Sequence, residues 1–524
     1  MAFSVGMGGS VVGEVEVVVF EFTIPSEGKT MLEDVDSNIY QQVSQIIIST
    51  LLPFILYGLS CKLWYFYNVS TKDSNCDLPL PPGSMGVPLV GETLDLIFGG
   101  SRFYKSRWKS YGNVYKTHIL GRPTIRVIGA KNVRKILMGE HTLVTSNWPT
   151  STRMIMGEGT LAHSVGDTHR LRRKVVLKAF SHDALSKYVP CVQEVVQNSV
   201  QQWCQQGFVF GYPECKKLTF AIASKVLLGF RINERETSNM LNVFNQMVSN
   251  LFSLPVCVPG SGLYKGIKAR DYLLEKIEEC IREKESRGTV NDFTDALDLI
   301  MNIQDGEESM SRREVKESAL ELLFAGHETT ASASCSMILH LAKNPDVVEN
   351  VTHELAAHGL LRQDALSLDL VVLNKLTYTN NVVKEVLRIL PPIGAGFRKA
   401  LKTFEIEGCQ IPKGWTVAYS IRDTHETSEF FTESDKFDPS RWEAKAPSDL
   451  FHYLPFGGGS RACVGKEFAK ILLKVLLIEL SRSCSWRLLN DSPTMKRLPV
   501  PHPDDGLPVQ FTEVPPMRQR AFTF

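Results

Sequence analysis

Surplus charge is missing from this chain: 58 basic and 57 acidic residues leave a formal net charge of +1 over 524 residues. Nucleic-acid binding rests on a basic patch or stripe, so no nucleic-acid partner is expected. Paired cysteines are missing too. The 11 cysteines are odd in number, scattered from Cys61 to Cys484, and include no C-x-x-C pair. That argues against a zinc ribbon, a thioredoxin motif or a disulfide framework, and points to a reducing compartment. No nucleotide fingerprint stands in for them, because Gly6-Met7-Gly8 opens no strand–turn–helix unit with the required glycine spacing. In "HELAAH" (353–358) the histidines are five apart, whereas a zincin helix needs them four apart to share a face. Repeats, low-complexity tracts and a linker between 79 and 524 are absent as well. With 43% hydrophobic residues, the chain can bury a large core.

One long apolar run is present near the amino terminus. Ile46 to Tyr67, "IIISTLLPFILYGLSCKLWYFY", carries a single charge, Lys62. About 20 apolar residues span a bilayer, and the closing Trp64, Tyr65 and Tyr67 suit a membrane interface. Pro53 is tolerable in such a helix. A buried core helix is the alternative; a cleaved signal peptide fits less well, since no basic flank precedes the run. Residues 1–45 carry Glu14, Glu16, Glu21, Glu27, Glu33, Asp34 and Asp36 against one Lys29, while Lys62 and Lys72 follow the span. The positive-inside rule then places the large carboxyl-terminal part in the cytosol. The expected organisation is an acidic extension (1–45), a transmembrane anchor (46–67), a linker with a proline-rich hinge (68–92) and one large domain (93–524).

Within that domain, "GNVYKTHILGRPTIRVIG" (112–129) reads as a β-hairpin around Gly121-Arg122-Pro123. From about 131 to 390 helical periodicity dominates, as in Arg313 to Leu323 and Val371 to Leu390. A strand-rich patch follows at 400–420, then a long helix at 465–484. The expected fold class is mainly α with a smaller β region.

Phe456 to Gly465, "FGGGSRACVG", surrounds a cysteine with glycines, an aromatic and an arginine. Free cysteine is often simply buried. A thiolate metal ligand, by contrast, needs positive surroundings and N–H donors, and a loop just before a helix supplies both. Glycines allow close approach to a flat cofactor, and Arg461 can pair a carboxylate on it. The positions Phe456, Gly459, Arg461, Cys463 and Gly465 resemble the haem-binding loop of the cytochrome P-450 superfamily.

That resemblance implies haem b buried between two long helices, with Cys463 as axial iron ligand. "AGHETT" (325–330) resembles the superfamily stretch that crosses the distal haem face, which implies proton delivery by Glu328 and Thr329. An acid beside two threonines in mid-helix is locally unfavourable, as expected of a functional site. Glu385 and Arg388, three apart on one helix face, resemble a structural pair that Arg441 of "FDPSRW" would complete. His169, Arg173 and Arg398 are candidates to reach a haem propionate; for His169 a basic solvated face is the alternative.

Longer stretches narrow the likeness. "VYKTHILGRPTIRVIGAKNVRKILMGEH", "NLFSLPVCVPGSGLYKGIKAR", "ELLFAGHETTASA" and "IPKGWTVAYSIRDTH" are similar to the retinoic acid hydroxylases of animals. The departures are the acidic extension and Ala325, where that family would place glycine. The resemblance implies a monooxygenase of the endoplasmic reticulum membrane that hydroxylates all-trans-retinoic acid with dioxygen. Electrons would come from an external NADPH-dependent cytochrome reductase; Lys466, Lys470 and Lys474 recur every four residues as a basic stripe that could dock it, with a solvated face as the equal alternative. Trp148, Phe252, Phe324 and Phe397 are candidate pocket walls, and Arg126 a candidate partner for the substrate carboxylate. A sterol or fatty-acid oxygenase of the same fold, and a non-catalytic haem protein that binds a lipid, are the rival readings.

Overall fold

The structure is a computed structural model that describes residues 29–287, 295–302, 310–361, 367–443, 449–497 and 499–514. The acidic residues Glu14, Glu16, Glu21 and Glu27 lie outside the described residues. The chain forms two units, residues 1–67 with 87–89, and residues 68–86 with 90–524.

In the first unit one helix, Lys29–Ser70, runs for 42 residues. It passes through the expected boundary at 45 and 46, because composition changes there while helix-forming capacity does not. Its stretch Tyr40–Ser70 is long and apolar enough to cross a membrane, and its large side chains, Phe54 and Ile55 among them, face outward. Hydroxyls in it bond back to the helix, Ser49 to the Ile46 carbonyl at 3.0 Å and Ser60 to the Tyr57 carbonyl at 2.8 Å. These bonds satisfy the two serine hydroxyls within the helix itself, as a lipid phase requires.

The second unit begins with the proline-rich segment, which is stitched to the sheet rather than left as a free hinge. Lys116 donates its backbone N–H to the Pro82 carbonyl and its Nζ to the Pro81 carbonyl at 2.7 Å. Gly83 permits this contact, since a Cβ there would stand 2.0 Å from the Lys116 oxygen.

A five-stranded sheet has the order Val114–Ile119, Arg122–Val127, Thr416–Ser420, Ala395–Ala400, Val144–Ser146. The hairpin is there, but it turns at Leu120 and Gly121, with φ 52 and 74. Arg122 and Pro123 are already in the second strand. Two left-handed residues match the twist of a two-residue hairpin, and so shift the turn off the proline. Strand Arg122–Val127 runs parallel to Thr416–Ser420, which is otherwise antiparallel to Ala395–Ala400.

Helices make up the rest of the core. The 31-residue helix Arg312–Ala342 begins at a Ser311–Glu314 capping box and packs on Gly211–Ile222 and on Lys466–Ser483. The periodic run expected from Val371 to Leu390 is two helices, Leu370–Lys375 and Thr377–Ile389. Glu354 causes the break: its carboxylate accepts the backbone N–H groups of Tyr378 at 2.7 Å and Thr379 at 2.8 Å, and so starts a new helix. The fold class is mainly α with a smaller β region, as expected.

Candidate active site

The cysteine loop is closed on itself by the Cys463 N–H, which donates to the Phe456 carbonyl at 2.9 Å. Gly459 lets it lie against Leu137, whose carbonyl oxygen would be 2.2 Å from a Cβ, and its φ of +67 also demands glycine. Burial raises the Cys463 thiol above its ordinary range, opposed by the Gly465 N–H, Arg173 and Lys466. Yet the cysteine is exposed by accessible area. Atoms crowd close enough to desolvate the thiol while one side stays open, which describes an interior gap rather than the outer surface.

The long helix Arg312–Ala342 has a matching opening. Leu322, Leu323, His327, Glu328 and Thr330 are buried, but Ala325 between them is exposed. One turn on, Thr329 donates its hydroxyl to the Ala325 carbonyl at 2.7 Å. We read these two open positions, each inside buried and packed elements, as one gap with Thr329 at its helix wall.

Glu328 does not join Thr329 there, since adjacent helix residues do not face each other. Its buried carboxylate turns to Lys216 Nζ, 2.8 Å away, with His327 Nε2 at 3.6 Å. The ion pair is close but misaligned, so both carboxylate oxygens keep unused acceptor capacity. His327 meets the Thr219 hydroxyl at 2.8 Å and packs edge-on to Phe220 and Phe244. Burial first, then Lys216, holds its pKa well down. The acid and the alcohol therefore serve opposite sides of the helix.

Beside the cysteine loop, cations converge. Glu140 accepts Arg398 Nε at 2.8 Å, Arg461 Nε at 2.6 Å and the Ser146 N–H at 3.2 Å. His169 has almost no accessible surface, yet atoms surround it only thinly, as they would at the rim of a gap. Its Nδ1 has no hydrogen-bond partner among the described residues, nor has Nε2 of His141, whose ring lies 5.6 Å away. Burial, then Arg461, His141 and Arg173, push His169 down to about 4. Arg173 lies within electrostatic reach of both Cys463 and Arg461. Three arginines, two histidines with orphaned nitrogens and one glutamate form a cradle short of anions. The residues fit a flat group that brings carboxylates and a metal needing one thiolate, which is what haem b requires. Glu140 and His141 were not foreseen; an acid and a histidine just after Gly139, at a helix end, were the available signal.

The cluster expected around Glu385 is complete and closed. Glu385 accepts from Arg388 Nε and Nη2 at 2.9 and 2.8 Å and from Arg441 Nε at 2.9 Å. The Asp438 N–H and Trp442 Nε1 also donate to it, each at 3.0 Å.

Among the apolar candidates, Phe324 is half-buried against Phe244, at 6.5 Å between rings. Trp148 meets His163 edge-on at 6.0 Å, and Phe397 lies in the strand Ala395–Ala400. Phe252 is exposed in a run with Leu254, Val256 and Val258. Arg126 needs correction. It is fully buried, donates to Asp423 and Ser420 at 2.7 Å each, and stacks 4.1 Å from the Tyr104 ring. Asp423 pairs its charge through Nη2, so it is not a lone cation awaiting a substrate carboxylate, although its Nε and Nη1 have no hydrogen-bond partner among the described residues. The lysine stripe is also corrected: Lys474 is buried and donates to the Leu373 carbonyl, and Lys470 pairs with Glu467 at 3.0 Å. Lys466 alone of the three stays well exposed, because the helix buries the face at every fourth residue. A surface cleft of about 600 Å³, lined by Lys131, Lys135, Glu405 and Asp449, includes none of the residues at the thiol gap.

Comparison with known proteins is specific. The family model described as Cytochrome P-450 matches residues 81–504. Cytochrome P-450 26A1 of Gallus gallus is 47% identical over 90% of this chain and 97% of its own length. Cytochrome P-450 26B1 of Homo sapiens is 47% identical over 87% and 91%. Among solved structures, the retinoic acid-bound cyanobacterial CYP120A1 superposes with a TM-score of 0.78 at 33% identity, covering 84% of this chain and all of that one.

Proposed function

The chain belongs to the cytochrome P-450 family, and from that premise we infer that it is a haem-thiolate monooxygenase that hydroxylates all-trans-retinoic acid. The observation that carries the substrate is the likeness to a structure holding retinoic acid, extending over most of this chain. Haem held by Cys463 would supply dioxygen activation, and a thiolate ligand would favour O–O cleavage. The protein's share lies in its own residues. Cys463 must act as thiolate, and the Gly465 N–H, Arg173 and Lys466 all favour that charge. Arg398, Arg461 and His169 offer donors for the haem carboxylates. Thr329 keeps a proton on Oγ1 at the gap wall, parked on the Ala325 carbonyl until another acceptor comes within reach. Glu328, turned away from Thr329, is held by the Lys216 ammonium. Phe324 gives an apolar polyene contact area.

Membrane anchoring follows from the stretch Tyr40–Ser70. A cytosolic catalytic unit accords with the acidic flank before that stretch and with Lys62 and Lys72 around its end, and an endoplasmic reticulum address is supported by the likeness to the animal relatives. With no nucleotide fingerprint in the chain, electrons come from a separate NADPH-dependent cytochrome reductase.

The test is turnover of purified holoenzyme with reductase, NADPH and a panel of retinoids, sterols and fatty acids. Retinoic acid shifts the haem spectrum and yields ring-hydroxylated product. Thr329→Ala keeps haem content but diverts NADPH to peroxide. Turnover of a sterol or fatty acid, with no response to any retinoid, overturns the substrate reading.

A further inference from the structure

Glu321 lies one turn before Ala325 on the helix that walls the gap. It is a desolvated carboxyl, raised to about 7 by burial against the pull of two backbone N–H groups, Arg172 and Arg461. Buried acids are normally answered by a cation. Glu321 has no ion-pair partner within 4.0 Å among the described residues. Instead it accepts the backbone N–H of Leu161 at 2.6 Å and that of Ala162 at 2.8 Å.

The same loop is held at a second point. Glu317, four residues earlier on the same helix face, accepts the Gly159 N–H at 2.5 Å. A Cβ at Gly157 or Gly159 would come within 2.4 Å of that carboxyl group, so the loop is shaped to wrap it. Its far side is tied to the cysteine loop. Arg461 donates to the Ala162 carbonyl at 3.4 Å and to the Ser164 carbonyl at 2.6 Å. Residues 157–164 thus bridge the helix wall of the gap to the loop that carries the thiol. His163, within the bridge, holds the Trp148 ring.

We propose that Glu321 is a positioning residue for the substrate, clamping loop 157–164 to the helix so that this loop keeps a fixed wall over the thiol gap. The two N–H groups go one to each carboxyl oxygen, and such bonds are the strong kind when the acid is ionised. Loss of the clamp would leave Cys463, Arg398 and His169 in place while freeing the wall that defines how a long apolar substrate lies. The proposal rests on the monooxygenase reading, and its effect on binding rests on the retinoid reading.

The test compares wild-type holoenzyme with Glu321→Gln, which puts an NH2 donor in place of one of the two accepting oxygens and so leaves one loop N–H facing a donor. Ala162→Pro removes one donor from the loop side. Amide exchange over 157–164 should rise about tenfold in both variants, the size expected for losing a hydrogen bond to a charged group. Haem content and the thiolate carbon-monoxide band should be unchanged. The KM for retinoic acid should rise more than kcat falls, and the ratio of hydroxylated products should change. Unchanged exchange overturns the clamp. Faster exchange with unchanged KM and product ratio overturns the positioning role and leaves a structural tie. If the wild type turns over a sterol or fatty acid instead, the retinoid reading fails by itself, and the same comparison is run with that substrate.

Discussion

Two arginine–glutamate clusters flank the candidate site, and they are built oppositely. Around Glu385 every approach is filled: Arg388 and Arg441 share its carboxylate, and their remaining N–H groups go to the carbonyls of Ser434, Lys436 and Thr432. Around Glu140, which takes Arg398 and Arg461, His141 and His169 hold buried nitrogens with no hydrogen-bond partner among the described residues. A saturated cluster can only hold the fold together. An unsaturated one retains free energy for something else to release, because unpaired buried donors are costly. The difference assigns the first to architecture and the second to a cofactor.

The comparison can be broken in four ways. The largest effect is expected at the thiol: Cys463→Ala should abolish the thiolate band of the reduced carbon-monoxide adduct, and its persistence would refute the gap as the iron site. Next, Glu385→Ala strands two buried arginines and should cost about 3–5 kcal/mol. Urea melts should show that loss equally with and without haem; a loss seen only with haem would make the closed cluster a cofactor site after all. Third, Arg398→Ala should hardly change the stability of haem-free protein but speed haem loss about tenfold, roughly one hydrogen bond to a charged group. Haem transfer to a scavenger protein measures it, and an unchanged rate would count against the cradle.

The smallest effect is a pH dependence. His169 has a folded pKa of about 4, below the ordinary value of about 6.5. The folded state therefore binds this proton less well than the unfolded state. Its stability is intact above pH 6.5 and falls as pH drops from there toward 4. In haem-free protein His169→Gln should flatten part of that fall, the remainder coming from His327, His340 and His425, which burial also depresses. Haem carboxylates beside the ring should shrink the His169 share. Equal slopes with and without haem, read from melts across pH, would mean that nothing anionic docks there.

Much of this was legible in order along the chain. The apolar run, the hairpin, the long helix around 325–330 and the glycine-rich cysteine loop depend on near neighbours, so period and spacing disclose them. Glu385 with Arg388 was legible for the same reason. Arg126 was misread because strand alternation tells which side a residue takes but not whether an Asp423 waits there. The lysine stripe was misread similarly: a period of four names a helix face without saying that Leu373 would cover part of it.

The sequence by itself determined the fold class, the long apolar helix, the cysteine loop and the family likeness, since each resides in local pattern or in motif spacing. Tertiary structure decided which acid answers which base. Glu140 meets Arg398 across 258 residues and Arg461 across 321. Glu328 turns to Lys216, and Glu321 turns to the loop at 161–162. Such pairings are set by where distant elements cross and by the cost of leaving a buried charge unanswered, and neither is written in the spacing of neighbouring residues.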